Sequence, residues 1–309
     1  SRLSAWRARV EELVALEQNA RRRNMLRGLQ AKLSAARSCG DDGSGTAFSK
    51  VPQTSVPRFD GLGRDGFMRL VRVYRTVGMR MVAGNDAKTL KMVRKTPVMR
   101  HTQRMLTALA EAGGAPATQR GMLGREFCRM LAPEIETHEQ FAVRSFISED
   151  ECPTIFRLRC LLQTTGLLLR RKQRFIITKR GREMLERMDV PVYGELFAAY
   201  TTKLDWSAFM YDSGDEWVQE TILFTLHLLQ QYGDVPRMAG FYVNACCDAV
   251  RGVCEPGTEV SDMRYEAYML EDCLTWFGLT DELGRALVAQ RKYLLRRTPL
   301  FERLFPKPI

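Results

Sequence analysis

The chain has 309 residues, of which 45% are hydrophobic and 27% charged, and it carries a formal net charge of +11. This composition excludes collagen-like, low-complexity and largely disordered proteins, and the length is sufficient for two or three compact units. The eight cysteines include no Cys-x-x-Cys pair, and the three histidines lie far from them. We therefore interpret the cysteines as buried reduced thiols and predict no disulfide scaffold, no metal site and no cofactor.

The N-terminal residues 1–19 carry charge throughout, so they do not resemble a signal peptide. The longest apolar runs, such as 221–229, are about half of the ~20 residues that span a bilayer. We expect a cytoplasmic protein without a membrane partner. The chain begins at Ser1 rather than at methionine, which leaves open whether an N-terminal extension is missing.

Charge is distributed unevenly along the sequence. Residues 1–189 hold 36 basic and 19 acidic side chains, a net charge of +17, whereas residues 190–309 hold 11 and 17, a net charge of −6. A large positive field accelerates encounters with polyanions. Nucleic acid, or the acidic surface of a protein, is therefore the first partner to consider for the N-terminal part.

The N-terminal segment 1–37 is predicted to be an amphipathic helical arm. Its apolar residues recur at steps of three and four, and the second half of the stripe includes Leu26, Leu29 and Leu33. These leucines are candidates for binding a partner helix or for docking onto the rest of the chain. Residues 38–58 are rich in Gly, Ser, Pro and Asp and predict a flexible linker.

Two further regions follow the linker. Residues 59–190 are basic, with helical periodicity from about residue 65, and Gly113 and Gly114 end one of the predicted helices. Residues 191–309 are acidic and also have helical character. Their second half ends in a pattern that resembles part of the first region. The expected fold is mainly α, a helical bundle with winged-helix-like units that carry short β-hairpins.

The most informative motif lies at 166–185. Two apolar runs, 166–169 and 174–177, flank the polar residues 170–173 and predict a β-hairpin. Thr178 then stands where a helix N-cap belongs, and Gly181 keeps the first helical turn slim. A helix before the hairpin is expected to close at Gly166. The order helix, hairpin, helix predicts a winged-helix-like unit.

The same sequence pattern is found at two other positions. Thr118, Thr178 and Thr298 each precede a helical pattern and each follow an apolar or turn-forming segment. Phe277-Gly278-Leu279 precedes the last hairpin as Thr165-Gly166-Leu167 precedes the central one. We interpret the three threonines as caps in related helical units, with a second winged-helix-like end near the C-terminus.

Residues from about 100 to 205 resemble the helical module of the plasmid pRi-type open-reading-frame-three-like bacterial proteins. The resemblance is carried by 116–123 with Phe127, by 158–160, by 166–172, by 177–182 and by 196–197. It implies a helical winged-helix-like module and no particular activity. The β-rich domain that often accompanies this module has no obvious counterpart here.

Basic residues around the predicted hairpin are the candidates for nucleic-acid binding, with DNA preferred over RNA. Lys and Arg side chains and helix N-termini contact phosphates readily. The candidates lie at the hairpin tip, at the start of the following helix and on the preceding helix, in that order: Arg170, Arg171, Lys172 and Arg174; Lys179, Arg180 and Arg182; Arg157 and Arg159.

Catalysis is not expected, and no catalytic residue is assigned. The acidic residues of 205–282 lie on separate predicted helices without a motif that brings them together, and the Gly61-x-Gly63-x-x-Gly66 pattern follows a linker rather than a strand. We therefore expect a non-catalytic binding protein that associates with nucleic acid. The alternative is a helical scaffold or adaptor that binds another protein, or a second copy of itself, through the N-terminal arm.

Overall fold

The computed structural model describes residues 60, 62–77, 84–136, 148–208, 216–251, 263–283 and 293–305. The predicted arm 1–37, with Leu26, Leu29 and Leu33, and the predicted linker 38–58 lie outside the described residues. The described part is mainly helical and carries two short antiparallel hairpins. The expected mainly α fold with short β-hairpins is confirmed.

The elements occur in the following order. The helices before the first hairpin are α1 (Gly63–Val77), α2 (Ala87–Lys95), α3 (Pro97–Glu111), α4 (Arg125–Ile135) and α5 (Pro153–Thr164), with strand β1 (Ala115–Pro116) between α3 and α4. The first hairpin is β2 (Leu168–Arg171) and β3 (Arg174–Ile177), followed by α6 (Lys179–Arg187), α7 (Val190–Thr202), α8 (Glu216–Glu220) and α9 (Ile222–Tyr232). The last part contains β4 (Arg237–Met238), α10 (Ala239–Arg251), a π-helix (Tyr265–Thr275), β5 (Thr280–Leu283), β6 (Leu294–Arg297) and α11 (Pro299–Leu304).

Two stretches of the chain share one topology. The first unit comprises α3, β1, α4, α5, β2, β3 and α6; the second comprises α9, β4, α10, the π-helix, β5, β6 and α11. Each contains a three-stranded antiparallel sheet whose last strand lies in the middle, in the orders β1–β3–β2 and β4–β6–β5. Both hairpins pair four residues with four in the same register.

The joints between helix, hairpin and helix agree in detail. Gly166 and Gly278 both have positive φ, +71° and +68°, and both end the helix before the hairpin. The backbone N–H of Thr178 donates to Leu167 O, and that of Thr298 donates to Leu279 O, each at 3.0 Å. The described strands and helix joints of the hairpin unit expected near the C-terminus therefore match those of the first unit.

Both threonines cap the helix that follows the hairpin, as predicted. The Thr178 hydroxyl accepts from the Gly181 N–H at 2.9 Å, and the Thr298 hydroxyl accepts from the Phe301 N–H at 3.2 Å. Gly181 is needed for close packing, because a Cβ at this position would lie 2.3 Å from the Leu167 carbonyl oxygen.

The prediction that Thr118 caps a helix is wrong. Thr118 lies in a turn between β1 and α4, where its hydroxyl accepts from the Met122 N–H at 3.1 Å, and Gly124 is the residue at the N-cap of α4. The turn is closed by an isolated bridge between Ala117 and Leu123. A similar sequence pattern thus forms a turn here, because a turn rather than a strand immediately precedes the helix.

The two units share a continuous hydrophobic core. The Trp276 indole N–H of the second unit donates to His101 Nδ1 of the first at 3.1 Å. Helix α7, which follows the first unit, adds the Tyr193 hydroxyl, which donates to the Phe277 carbonyl at 2.7 Å. Helix α1 adds to the second unit, where Phe67 lies edge-on to Phe224 with 5.1 Å between ring centroids. The seam between the units is therefore aromatic and well packed.

Candidate nucleic-acid interface

The first hairpin is closed by a two-residue turn. Lys172 and Gln173 have φ values of 47° and 57°, so both adopt the left-handed conformation that a type I′ turn requires. The hairpin is anchored by Leu168, Phe175 and Ile177, which are buried. The predicted hairpin is confirmed, with a tighter turn than the four polar residues 170–173 indicated.

Four cations surround this tip, and all are exposed: Arg170, Arg171, Lys172 and Arg174. Two of them also hold the local structure. Arg174 donates to the Gly114 carbonyl at 2.9 Å, and the Arg170 guanidinium covers Gly121, where a Cβ would meet its Nη1 at 2.1 Å. Within the described part of the chain, no hydrogen bond or ion pair engages the side chains of Arg171 and Lys172.

The start of α6 contributes three further exposed cations, Lys179, Arg180 and Arg182. Lys179 lies 4.0 Å from Glu183, a weak surface pair. Arg180 donates to the Thr165 carbonyl at 2.7 Å and forms an ion pair with Glu195, so it links α6 to the end of α5 and to α7. Arg182 has no partner among the residues that the structure describes.

Arg157 and Arg159 were expected at the binding surface, but both side chains are buried. Arg157 forms an ion pair with Asp272 of the second unit, and its guanidinium lies 5.8 Å from the centre of the Trp276 ring. Arg159 pairs with the buried Glu149 at 2.5 Å. Neither side chain is placed to reach a groove or a phosphate.

Burial and the neighbouring carboxylate shift the pKa of Arg157 in opposite directions. Desolvation by burial lowers its pKa, but the neighbouring Asp272 carboxylate raises it, and the net pKa is above the usual value for arginine. Arg157 therefore stays charged inside the protein, where its charge is compensated by the second unit rather than by solvent.

Sequence reasoning missed one exposed cation near the tip. Arg120 lies next to Gly121 in the turn that Arg170 covers, and its side chain is exposed and 3.6 Å from Asp150. The motif contained this arginine, but nothing in the local sequence indicated that the turn lies against the hairpin.

Other features of the described residues do not form a competing site. A depression of about 240 Å³ beside α11 is lined by Gln230, Arg297, Phe301, Glu302 and Phe305. Its two charged groups pair with each other at 3.2 Å, and Arg297 also donates to the last carbonyls of α9.

Across the described ranges there is no group of three or more His, Cys, Asp or Glu side chains arranged to hold a metal ion. The cysteines at 128, 152, 246, 247 and 273 are buried. Burial raises the pKa of the Cys246 thiol to about 11. None of the helices in the described part has the length and apolarity needed to cross a membrane.

Residues 94–190 match the model of the Y4jL N-terminal domain, which is about a third of the chain. The matched segment coincides closely with the first unit, from α3 to α6, and excludes the second unit. No curated protein and no solved structure gives a significant match. The match overlaps residues 100–205, which resemble the plasmid pRi-type proteins, and that resemblance stays a prediction.

Proposed function

We propose that this protein is a non-catalytic nucleic-acid-binding protein that contacts phosphates through the hairpin tip of the first unit. The observation that carries the proposal is the exposure of Arg171 and Lys172 at the tip, without partners among the described residues. The other exposed cations of the tip and of α6 extend this basic surface. A winged-helix-like description of the first unit is part of the proposal, and the order of its helices and strands supports it.

The conformation of the tip supports a functional role. A type I′ turn is most stable with Asn-Gly or Asp-Gly, because both central residues have positive φ. This turn uses Lys172 and Gln173 instead, at a cost of about 1 kcal/mol for each non-glycine residue in the left-handed region. The Gln173 carbonyl accepts from the Ala117 N–H at 2.8 Å, but this contact needs neither side chain, which supports a role in binding for the exposed Lys172.

The charge distribution determines what the tip can bind. The described hairpin carries four cations and no acidic residue between 168 and 177. Each phosphate neutralised by such a cation contributes about 0.9 to the slope of log affinity against log salt on B-form DNA. Binding should therefore weaken steeply as salt rises.

The test is a double charge reversal at the free cations, Arg171→Glu with Lys172→Glu. Because neither side chain holds the fold, the variant should fold normally and bind random-sequence DNA at least about tenfold more weakly, with the salt slope reduced by about 1.8. Fluorescence anisotropy across a salt series measures both quantities.

The matched control is Lys91→Glu with Lys95→Glu, which makes the same change in net charge on exposed positions of α2. It should retain most of the affinity. Equal losses in the two variants would show that only net charge matters and would refute the hairpin site. Absence of binding by the unmodified chain at low salt would refute the function, and the adaptor alternative would then be tested through Leu26, Leu29 and Leu33.

A further inference from the structure

In the winged-helix-like description of the first unit, α5 is the helix that would read a base sequence. It follows α4 and precedes the hairpin, and in helix-turn-helix proteins the second helix of such a pair lies in the major groove. Whether α5 can do this depends on which of its side chains reach the surface.

Most of α5 is covered by protein. Its residues 155, 157–159 and 161–162 are buried, and they include both of its arginines. Arg157 faces Asp272 of the second unit, and Arg159 faces Glu149. The two cations of this helix therefore neutralise carboxylates inside the molecule.

The remaining face of α5 is poor in groups that recognise bases. None of its residues is charged, and the Thr154 hydroxyl already donates to Glu136 at 2.8 Å. These residues are Pro153, Thr154, Phe156, Cys160, Gln163 and Thr164. Gln163, the residue best suited to an adenine edge, already accepts a hydrogen bond from Arg159 at 2.6 Å. This bond holds the Gln163 side chain against Arg159 and uses one of the two lone pairs of its amide oxygen.

The hairpin itself is short. Phe175 is buried and pairs with Arg170, so only the Arg171–Arg174 pair and the two turn residues extend beyond the body. Two residue steps in a strand span about 7 Å, less than the depth of the major groove, about 8.5 Å. The backbone of the tip therefore ends above the groove floor, at the level where its cations meet the phosphates.

We infer that the first unit binds duplex DNA through its phosphate backbone, without reading the base sequence, because the second unit and Glu149 hold the arginines of α5 inside the protein. This inference rests on the proposed function and names its ligand. It predicts a binder whose affinity depends on salt and duplex geometry rather than on sequence.

The experiment uses the full chain in two measurements. A selection from a duplex pool with a randomised centre should enrich no motif, and Kd values for unrelated duplexes of equal length should agree within about threefold. The Arg171→Glu/Lys172→Glu variant should lose affinity equally for every duplex, whereas Gln163→Ala should leave all affinities unchanged.

The outcomes separate this inference from the proposed function. An enriched motif bound about 10³-fold or more above random duplex, with loss on Gln163→Ala, would overturn sequence-independent binding and leave the proposed function intact. Tighter binding to an RNA duplex of the same length would overturn the choice of DNA. No binding to any duplex at low salt would overturn the proposed function itself.

Discussion

The strands of the two hairpins pair in the same register, but they differ in charge. In the common register, Leu169 and Arg170 of the first correspond to Asp281 and Glu282 of the second. The first hairpin presents cations alone, whereas in the second Arg296 lies 3.7 Å from Asp281, directly across the strand pair. The described strands of the first hairpin therefore carry only positive charge, whereas those of the second carry two acidic and two basic residues.

This difference shows that topology alone does not assign a function to either unit. Arg297, at the end of the second hairpin, donates to the Leu229 and Gln230 carbonyls and so closes helix α9. The position equivalent to Arg297 in the first unit is Ile177, which is a core residue. Arg297 therefore supports the fold of the second unit, whereas the side chains of Arg171 and Lys172 make no hydrogen bond or ion pair with the described residues.

The largest expected effect is the loss of stability when the ion pair between the two units is removed. Asp272→Ala leaves the charge of Arg157 buried without its partner, which should lower the free energy of unfolding by about 3–5 kcal/mol. Chemical denaturation followed by circular dichroism measures this loss. Arg157→Met is the control and should cost much less, because the Asp272 side chain retains 27% exposure to solvent. A loss below about 1 kcal/mol for Asp272→Ala would mean that the ion pair does not hold the units together.

The next effect is a pH dependence at the same seam. Burial lowers the pKa of His101 from 6.5 to about 4, and the nearby Arg100 cation acts in the same direction. Above pH 6.5 the imidazole is neutral in the folded and in the unfolded protein. Between pH 6.5 and about 4 the unfolded chain binds the proton more readily, so the free energy of unfolding decreases as the pH is lowered. The loss should reach about 3 kcal/mol near pH 4.

Denaturation curves at several pH values test this expectation. His101→Gln keeps an acceptor for the Trp276 N–H but does not titrate, so its stability should fall less over the same interval. Equal pH dependence in both proteins would place the titrating group elsewhere.

A smaller effect tests whether the two units are equivalent. Thr178→Ala and Thr298→Ala should each remove an N-cap and cost about 1 kcal/mol, with similar values because the hydrogen bonds are the same. The serine variants retain the hydroxyl and should restore most of the stability. A clear inequality between the two alanine variants would show that one helix depends on its cap and the other on packing.

The smallest effect concerns the tip itself. Lys172→Asn with Gln173→Gly supplies the residues that a type I′ turn prefers, so the free energy of unfolding should rise by about 1 kcal/mol. DNA affinity should fall in the same variant, because Lys172 is lost. A gain in stability without a loss of affinity would remove Lys172 from the interface.

Local features of this fold were predictable from the sequence. The hairpin at 168–177, the cap at Thr178 and the close approach at Gly181 follow from residues within a few positions of one another. The fate of Arg157 was not predictable, since its partner Asp272 is 115 residues away. Strand β4, which is two residues long, has no signal of its own and exists because β6 supplies a pairing edge.

In the candidate interface, too, the exposed positions were predictable from the sequence but the long-range contacts were not. The sequence located the exposed cations of the tip and of α6, since turn and helix-start positions are usually at the surface. It could not separate Arg171 from Arg174, because the contact of Arg174 with the Gly114 carbonyl depends on strand β1 lying alongside β3.

The surroundings of Trp276 give the protein an intrinsic optical reporter. Its indole is buried, hydrogen-bonded to His101 and in contact with the ring of Tyr200 at 5.5 Å between centroids. Indole emission shifts to longer wavelength when water gains access, and a protonated imidazole quenches it. The chain has four tryptophans. In a variant whose Trp6, Trp206 and Trp217 are replaced by phenylalanine, the emission of Trp276 therefore registers separation of the two units independently of any loss of helix.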